Sequence, residues 1–275
     1  MNSSIRTIYG VDLSLANLKG TVYKPLPNTT LNEKFNIEVR IPNEKTGNPT
    51  LKGFCIGNGN TPTLGKNEDG ILFYGRYNAN DGALHSHIPF IVRELRYDLS
   101  SIDKSKYRLR KEIVKDGVKY VAYYMKVIEP VDRKSQILEI AVANDGTYGI
   151  SNYNTNDASI LNPTEIETEQ ISKSVTNKYI VISDQIGLTL NKDELDEIRK
   201  GMKTLGLDTL SNKINELAVC TGLDGIDVVN HMEESFCTQI FIFADLPYEV
   251  DLELIEDKGF YREIEIGGME PISIR

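Results

Sequence analysis

The chain has 275 residues, 40% of them hydrophobic and 26% charged, with a formal charge of −9. That is ordinary globular usage; it excludes wholesale disorder, and the acidity speaks against nucleic acid as a general ligand. Three cysteines at wide spacing predict reduced thiols rather than a disulfide framework, and no apolar run approaches the ~20 residues of a spanning helix. The first six residues show no signal peptide.

From Val22 to Val142 the chain reads as strands separated by turns. Phe35–Ile41 alternates apolar and polar side chains and predicts a half-buried strand; Ile71–Tyr77 and Ile88–Arg93 predict two more. Leu99–Lys104 has the form of a single capped helical turn. Tyr107–Lys115 and Val118–Lys126 flank Asp116-Gly117, whose residues accept positive φ, so a tight hairpin is expected there. Ile137–Val142 is a further strand, closed by Asn144-Asp145-Gly146.

Between 151 and 177 Ser, Thr, Asn and Glu dominate, which predicts either a surface linker or an arm lying on a neighbouring protein. Beyond it Lys178–Ile182 is strand-like. Asn191 with Glu194 forms a capping-box pattern ahead of Leu195, Ile198 and Met202, and Gly206 follows as a stop. Helices are also expected over 209–219 and, from the Asn230/Glu233 cap pattern, over 232–244, where the apolar run to Ala244 leaves a buried strand as the alternative. Val250–Glu256 and Tyr261–Ile266 predict a terminal hairpin. The expectation is an α+β protein: a β-rich, sandwich- or barrel-like domain over 1–150, the polar segment 151–177, and a smaller helix-plus-hairpin domain over 178–275.

Chemistry-bearing patterns are few. His85 and His87 stand two apart, so on a strand they share a face and could hold a metal ion, which gives one alternative function, a metal-dependent hydrolase. Gly59–Asn67 misses the phosphate-loop pattern by one residue of spacing and reads as a turn-rich loop. No nucleophile elbow occurs, and the cysteines sit in apolar contexts. These patterns predict no catalytic residue, no cofactor and no metal.

One stretch departs from the acidic background. Between Lys104 and Lys119 seven cations face two carboxylates, with tyrosines alongside. A second alternative function is therefore a nucleic-acid-binding module. Complementary charge on another subunit is the more economical ligand for so acidic a chain, through Arg108, Arg110, Lys111 and Tyr123. Arg108 and Arg110 would point outward together and Leu109 into the core.

The progression Ala83-Leu84-His85-Ser86-His87-Ile88-Pro89-Phe90-Ile91-Val92-Arg93, then Asp98-Leu99-Ser100, Tyr107-Arg108-Leu109-Arg110 and Val121-Ala122-Tyr123-Tyr124, resembles a family of uncharacterised virion structural proteins of large tailed bacteriophages. Ile8-Tyr9-Gly10, Asn144-Asp145-Gly146, Leu161-Asn162-Pro163-Thr164 and Glu216–Gly222 are similar too, so the likeness touches most of the chain. It implies a structural role within a particle; together with the lack of a catalytic constellation in the sequence, the expectation is a non-enzymatic subunit, placed in the tail, baseplate or neck. Such a subunit is made in the host bacterial cytoplasm, resides in the virion, and contacts other virion proteins and copies of itself, with no membrane partner.

Overall fold

A computed structural model describes residues 4–59, 63–66, 72–74, 77–128, 135–143, 145–154, 177–207, 213–244, 246, 250–252 and 259–271. In chain order the elements are β1 (Ser4–Arg6), α1 (Ile8–Lys19), α2 (Leu31–Phe35), β2 (Thr50–Gly57), β3 (Thr63–Lys66), β4 (Leu72–Tyr74), β5 (His87–Ile88), β6 (Ile91–Glu94), α3 (Ser101–Lys104), β7 (Tyr107–Lys115) and β8 (Val118–Val127). There follow β9 (Gln136–Val142), β10 (Tyr148–Asn152), β11 (Asn177–Leu190), α4 (Lys192–Leu205), β12 (Lys213–Ile214), β13 (Glu216–Ile226), β14 (Glu233–Ala244), β15 (Val250–Asp251) and β16 (Phe260–Pro271). The fold is α+β and dominated by antiparallel sheet. Among the described residues no helix is long and apolar enough to cross a membrane.

The chain divides into two compact units: residues 1–129 with 188–262, and residues 130–187 with 263–275. This differs from the expected split into 1–150, 151–177 and 178–275. The reason is strand pairing at long range. The first unit is built on an eight-stranded sheet in the order β1-β14-β13-β2-β8-β6, with β5 beside β2 and β7 beside β8, so late strands lie between early ones. The second unit holds a four-stranded sheet, β10-β9-β11-β16, whose last two strands run on into the first unit. Of the polar segment 151–177, Ser151 and Asn152 belong to β10 and Asn177 opens β11, while 155–176 lie outside the described residues.

Local signals work where they are complete. Asp116 and Gly117 take positive φ and close the β7–β8 hairpin, and Ser100 caps α3 by accepting the Asp103 N–H at 3.2 Å. Asn191 and Glu194 form a reciprocal capping box on α4, Gly206 ends it in the left-handed region, and Leu195, Ile198 and Met202 are its buried stripe.

Four expectations are corrected. The Phe35–Ile41 strand is absent, because a capping box between Thr30 and Glu33 starts α2, which ends at Phe35 with Asn36 left-handed. The helices expected over 209–219 and 232–244 are strands: 213–214 lie in β12, 216–219 begin β13, and β14 covers 233–244, while 208–212 lie outside the described residues. Every residue from Glu216 to Leu223 is buried, as is every residue from Glu234 to Ile240. A strand buried on both faces loses its polar alternation and imitates a helical stripe. Asn230 does accept a backbone N–H, from Met232, but within the turn that joins β13 to β14. In place of a terminal hairpin, β15 pairs with β12 and β16 joins β11; residues 253–258 lie outside the described residues.

β14 also carries irregular register, with Cys237 at φ 50°. The backbone groups freed there are taken by the helices. Asn32 of α2 donates to Ser235 O and accepts from Thr238 N, both at 2.8 Å. Thr7, the N-cap of α1, donates to Ile240 O at 2.6 Å and through its N–H to Phe241 O at 3.0 Å. Buried backbone polar groups must be paired, so these two side chains fix where each helix docks.

Candidate functional site

The residues singled out by sequence meet on the outer part of the first unit's sheet, where β7 and β8 form a ribbon beside β6. Arg110 on β7 and Tyr123 on β8 are direct cross-strand partners. Both reach Asp98, just upstream of α3: Tyr123 Oη donates to Oδ1 at 2.7 Å, and Arg110 Nε and Nη2 donate to Oδ2 at 3.3 and 3.2 Å. Lys104 Nζ lies 3.0 Å from the same carboxylate, and the Leu99 N–H donates to it at 2.7 Å. Burial by itself would raise the Asp98 pKa, but the bonds from Tyr123, Lys104 and Leu99 and the Arg110 charge outweigh it and hold the carboxyl below its usual range.

The arginines therefore meet carboxylates, as the sequence suggested, but the carboxylates are the chain's own. Arg110 keeps 8% of its side chain exposed and Arg108 11%; Arg108 Nη2 donates to Glu233 at 2.8 Å and its Nη1 to the Ser105 and Tyr107 carbonyls. Lys111 lies over the Phe35 ring at 5.8 Å, and Tyr123 is 1% exposed. All four side chains have partners within the chain, so an interface with another subunit through them would share or replace these contacts. The physical reason is that acidic partners distant in sequence, Asp98 and Glu233, arrive by folding. Of the other cations of the basic stretch, Lys106 pairs at the surface with Asp103, three residues before it, and Lys115 donates to the Thr204 carbonyl.

Leu109 is buried, as expected, but at φ 55°, a conformation that β-region residues avoid at a cost of ~1–3 kcal/mol. Glu234 holds it there. Its carboxylate accepts the Leu109 N–H at 2.7 Å, the Arg110 N–H at 3.0 Å and its neighbour Ser235 N–H at 2.7 Å. Burial pushes the Glu234 pKa up, and those backbone donors pull against it.

A second buried carboxylate organises the histidine segment. Glu216, at the start of β13, accepts the His85 and Ser86 N–H groups at 3.1 Å each and the Tyr77 hydroxyl. Gly57 and Gly59 flank it because a Cβ on either would collide with the carboxylate. The two histidines do not act as a pair. His87 is buried edge-on against Phe35, with Nε2 accepting the Leu84 N–H at 3.1 Å, whereas His85 is exposed and stacks on Tyr77. Burial, with the Lys34 charge nearby, drives the His87 pKa down to about 3, so its ring is neutral. Among the described residues no group of three or more His, Cys, Asp or Glu could hold a metal ion. Part of the near-phosphate loop, 60–62, lies outside the described residues, and Thr63–Lys66 form β3.

Sequence reasoning missed Asp98, Glu216, Glu234 and Asn32. Only Asp98 carried a local signal, its place ahead of the Ser100 cap. It also missed a surface on α1. Tyr9, Gly10 and Leu13 face the core, while Ile8, Val11, Leu15 and Leu18 remain exposed at a 3-4-3 spacing, Leu18 at 82%. That spacing lines one face of the helix with apolar side chains.

Among the described residues, fold and site together define a β-rich protein in which Asp98, Glu216 and Glu234 brace the sheet from within. The chain belongs to the DUF7208 family, a family of unknown function, whose profile matches residues 1–274. No curated protein and no solved structure matches it.

Proposed function

We propose that the chain is a structural subunit of a tailed-bacteriophage particle, in the tail, baseplate or neck, acting by contact with other virion proteins and with copies of itself rather than by catalysis. The observation that carries the reading is the motif progression from Ala83 to Tyr124 and its likeness to phage virion proteins. The placement of those motif residues supports it. His87, Phe90, Leu109 and Tyr123 are buried, and Arg110 and Asp98 are bound to each other, so the shared pattern encodes a rigid scaffold. The exposed seam of α1 supplies a surface of the kind subunit contacts use.

Mass spectrometry of purified virions tests this reading. The protein should be found in particles at a stoichiometry of several copies; its absence from particles would overturn the assignment.

A further inference from the structure

Two of the three cysteines meet in the core of the first unit. Cys55 lies on β2 and Cys220 on β13, which pair antiparallel. The register sets Cys55 opposite Ala218 and Cys220 opposite Gly53, so the two cysteines are diagonal neighbours on one face of the sheet. Gly53 offers Cys220 no side chain, and the two sulfurs stand 3.7 Å apart, in contact, with both thiols free. Both residues are fully buried. The ladder is irregular at Cys220 on either side: the register shifts between Val219 and Cys220 against β14, and between Cys220 and Thr221 against β2. The third thiol, Cys237, packs in a separate cluster with Leu13, Tyr23 and Phe236.

We propose that Cys55 and Cys220 are a redox pair, closed by peroxide into a disulfide that staples β2 to β13. A disulfide holds its sulfurs ~2.05 Å apart, closer than mere contact. The irregular ladder at Cys220 gives that approach a place to occur, because a bulged strand bends without breaking a run of regular pairs. One hydrogen peroxide balances one pair. A first sulfur, as thiolate, attacks a peroxide oxygen; the O–O bond breaks, and the hydroxide released takes the thiol's proton and leaves as water. The second sulfur attacks the resulting sulfenic acid; the S–S bond forms, the S–O bond breaks, and hydroxide leaves with the second thiol's proton as water. Burial sets the pace. It pushes the Cys55 thiol pKa up, and the Cys220 thiol beside it adds to the effect, so thiolate forms when the sheet opens locally. The same burial then shields the finished bond from reductants. Cytosolic thiols keep such a pair reduced, so the staple belongs to a protein that has left the cell. The particle-subunit reading supplies that setting, and the inference rests on it for nothing else. The two positions are 165 apart in sequence and enclose β9, β10 and β11, so the bond removes much freedom from the unfolded chain.

The test treats the full wild-type chain with excess hydrogen peroxide, blocks remaining thiols in denaturant and maps the peptides by mass spectrometry without reduction. Cleavage after glutamate separates Cys220 from Cys237, because Glu233 and Glu234 lie between them. The Cys55 and Cys220 peptides should be joined, and should part again when the chain is unfolded in dithiothreitol. The thermal midpoint of the treated protein should rise by roughly 5–15 °C over the reduced one. Cys55→Ala and Cys220→Ala, treated in the same way, should show no such rise. Peptides that stay free, that gain oxygen without joining, or that join with no gain in midpoint would overturn the inference, and the wild-type map decides this even where a variant fails to fold. A staple that forms as expected in a protein missing from virions would leave this chemistry standing and remove only the particle assignment.

Discussion

In the first unit the sheet is covered, and carboxylates from one strand reach backbone and side-chain donors on another: Glu234 on β14 grips Leu109 and Arg110 on β7, and Glu216 on β13 grips His85 and Ser86. In the second unit the four strands keep most of their side chains at least partly exposed, and the ion pair recorded there, Glu139 with Lys178, leaves the lysine half in water. The first unit is cross-braced by buried polar groups, each a large loss if its partner is removed. Among its described residues the second depends mainly on the sheet ladder. Stability should therefore respond to mutation and pH in the first unit and barely at all in the second.

The sharpest break of that contrast is Asp98→Ala. It strands the guanidinium of Arg110 with only Glu112 nearby, and orphans the Tyr123 hydroxyl. Removing one partner of a buried pair costs about 3–5 kcal/mol, and urea unfolding should show a loss of that size. A loss under about 1 kcal/mol would place the cluster in effective contact with water.

Next in size is pH. The unfolded chain takes up a proton on His87 near the ordinary value of 6.5, and the folded chain refuses it until about pH 3. Stability is complete above 6.5 and falls as pH drops through that window, at a limiting slope of about 1.4 kcal/mol per pH unit from this group. The lowered Asp98 pKa adds a further loss in the acid range below the usual carboxylate value. Denaturation midpoints from pH 7 to pH 4 should show the slope, and His87→Leu should flatten it. An unchanged slope in that variant would locate the acid sensitivity elsewhere.

The smallest effect belongs to the second unit. Ile182→Ser, at a half-exposed position of β11, should change unfolding free energy by no more than about 0.5 kcal/mol. A change of about 2 kcal/mol would mean that this side chain is covered, and the contrast between the units would fail.

How much of this was legible in the residues depends on the range of each interaction. The Asp116-Gly117 hairpin, the capped turn at Ser100 and the α4 helix from Asn191 to Gly206 are specified by neighbours within a few positions, so the sequence determined them unaided. The seven cations between Lys104 and Lys119 could be seen to need acidic partners, yet which ones was invisible, because Asp98 and Glu233 reach them only through the sheet. β13 and β14 were hidden for a related reason. Their residues are buried on both faces, so the alternation that marks a strand is gone, and Asn230 with Glu233 imitates a helix start. Tertiary structure alone decided that these strands lie beside β2 and β1, that a carboxylate at 234 holds Leu109 in a left-handed conformation, and that 130–187 forms a unit with the last residues of the chain. Local free energies of a few tenths of a kcal/mol per residue choose turns and caps, whereas removing whole faces from water chooses which strands meet.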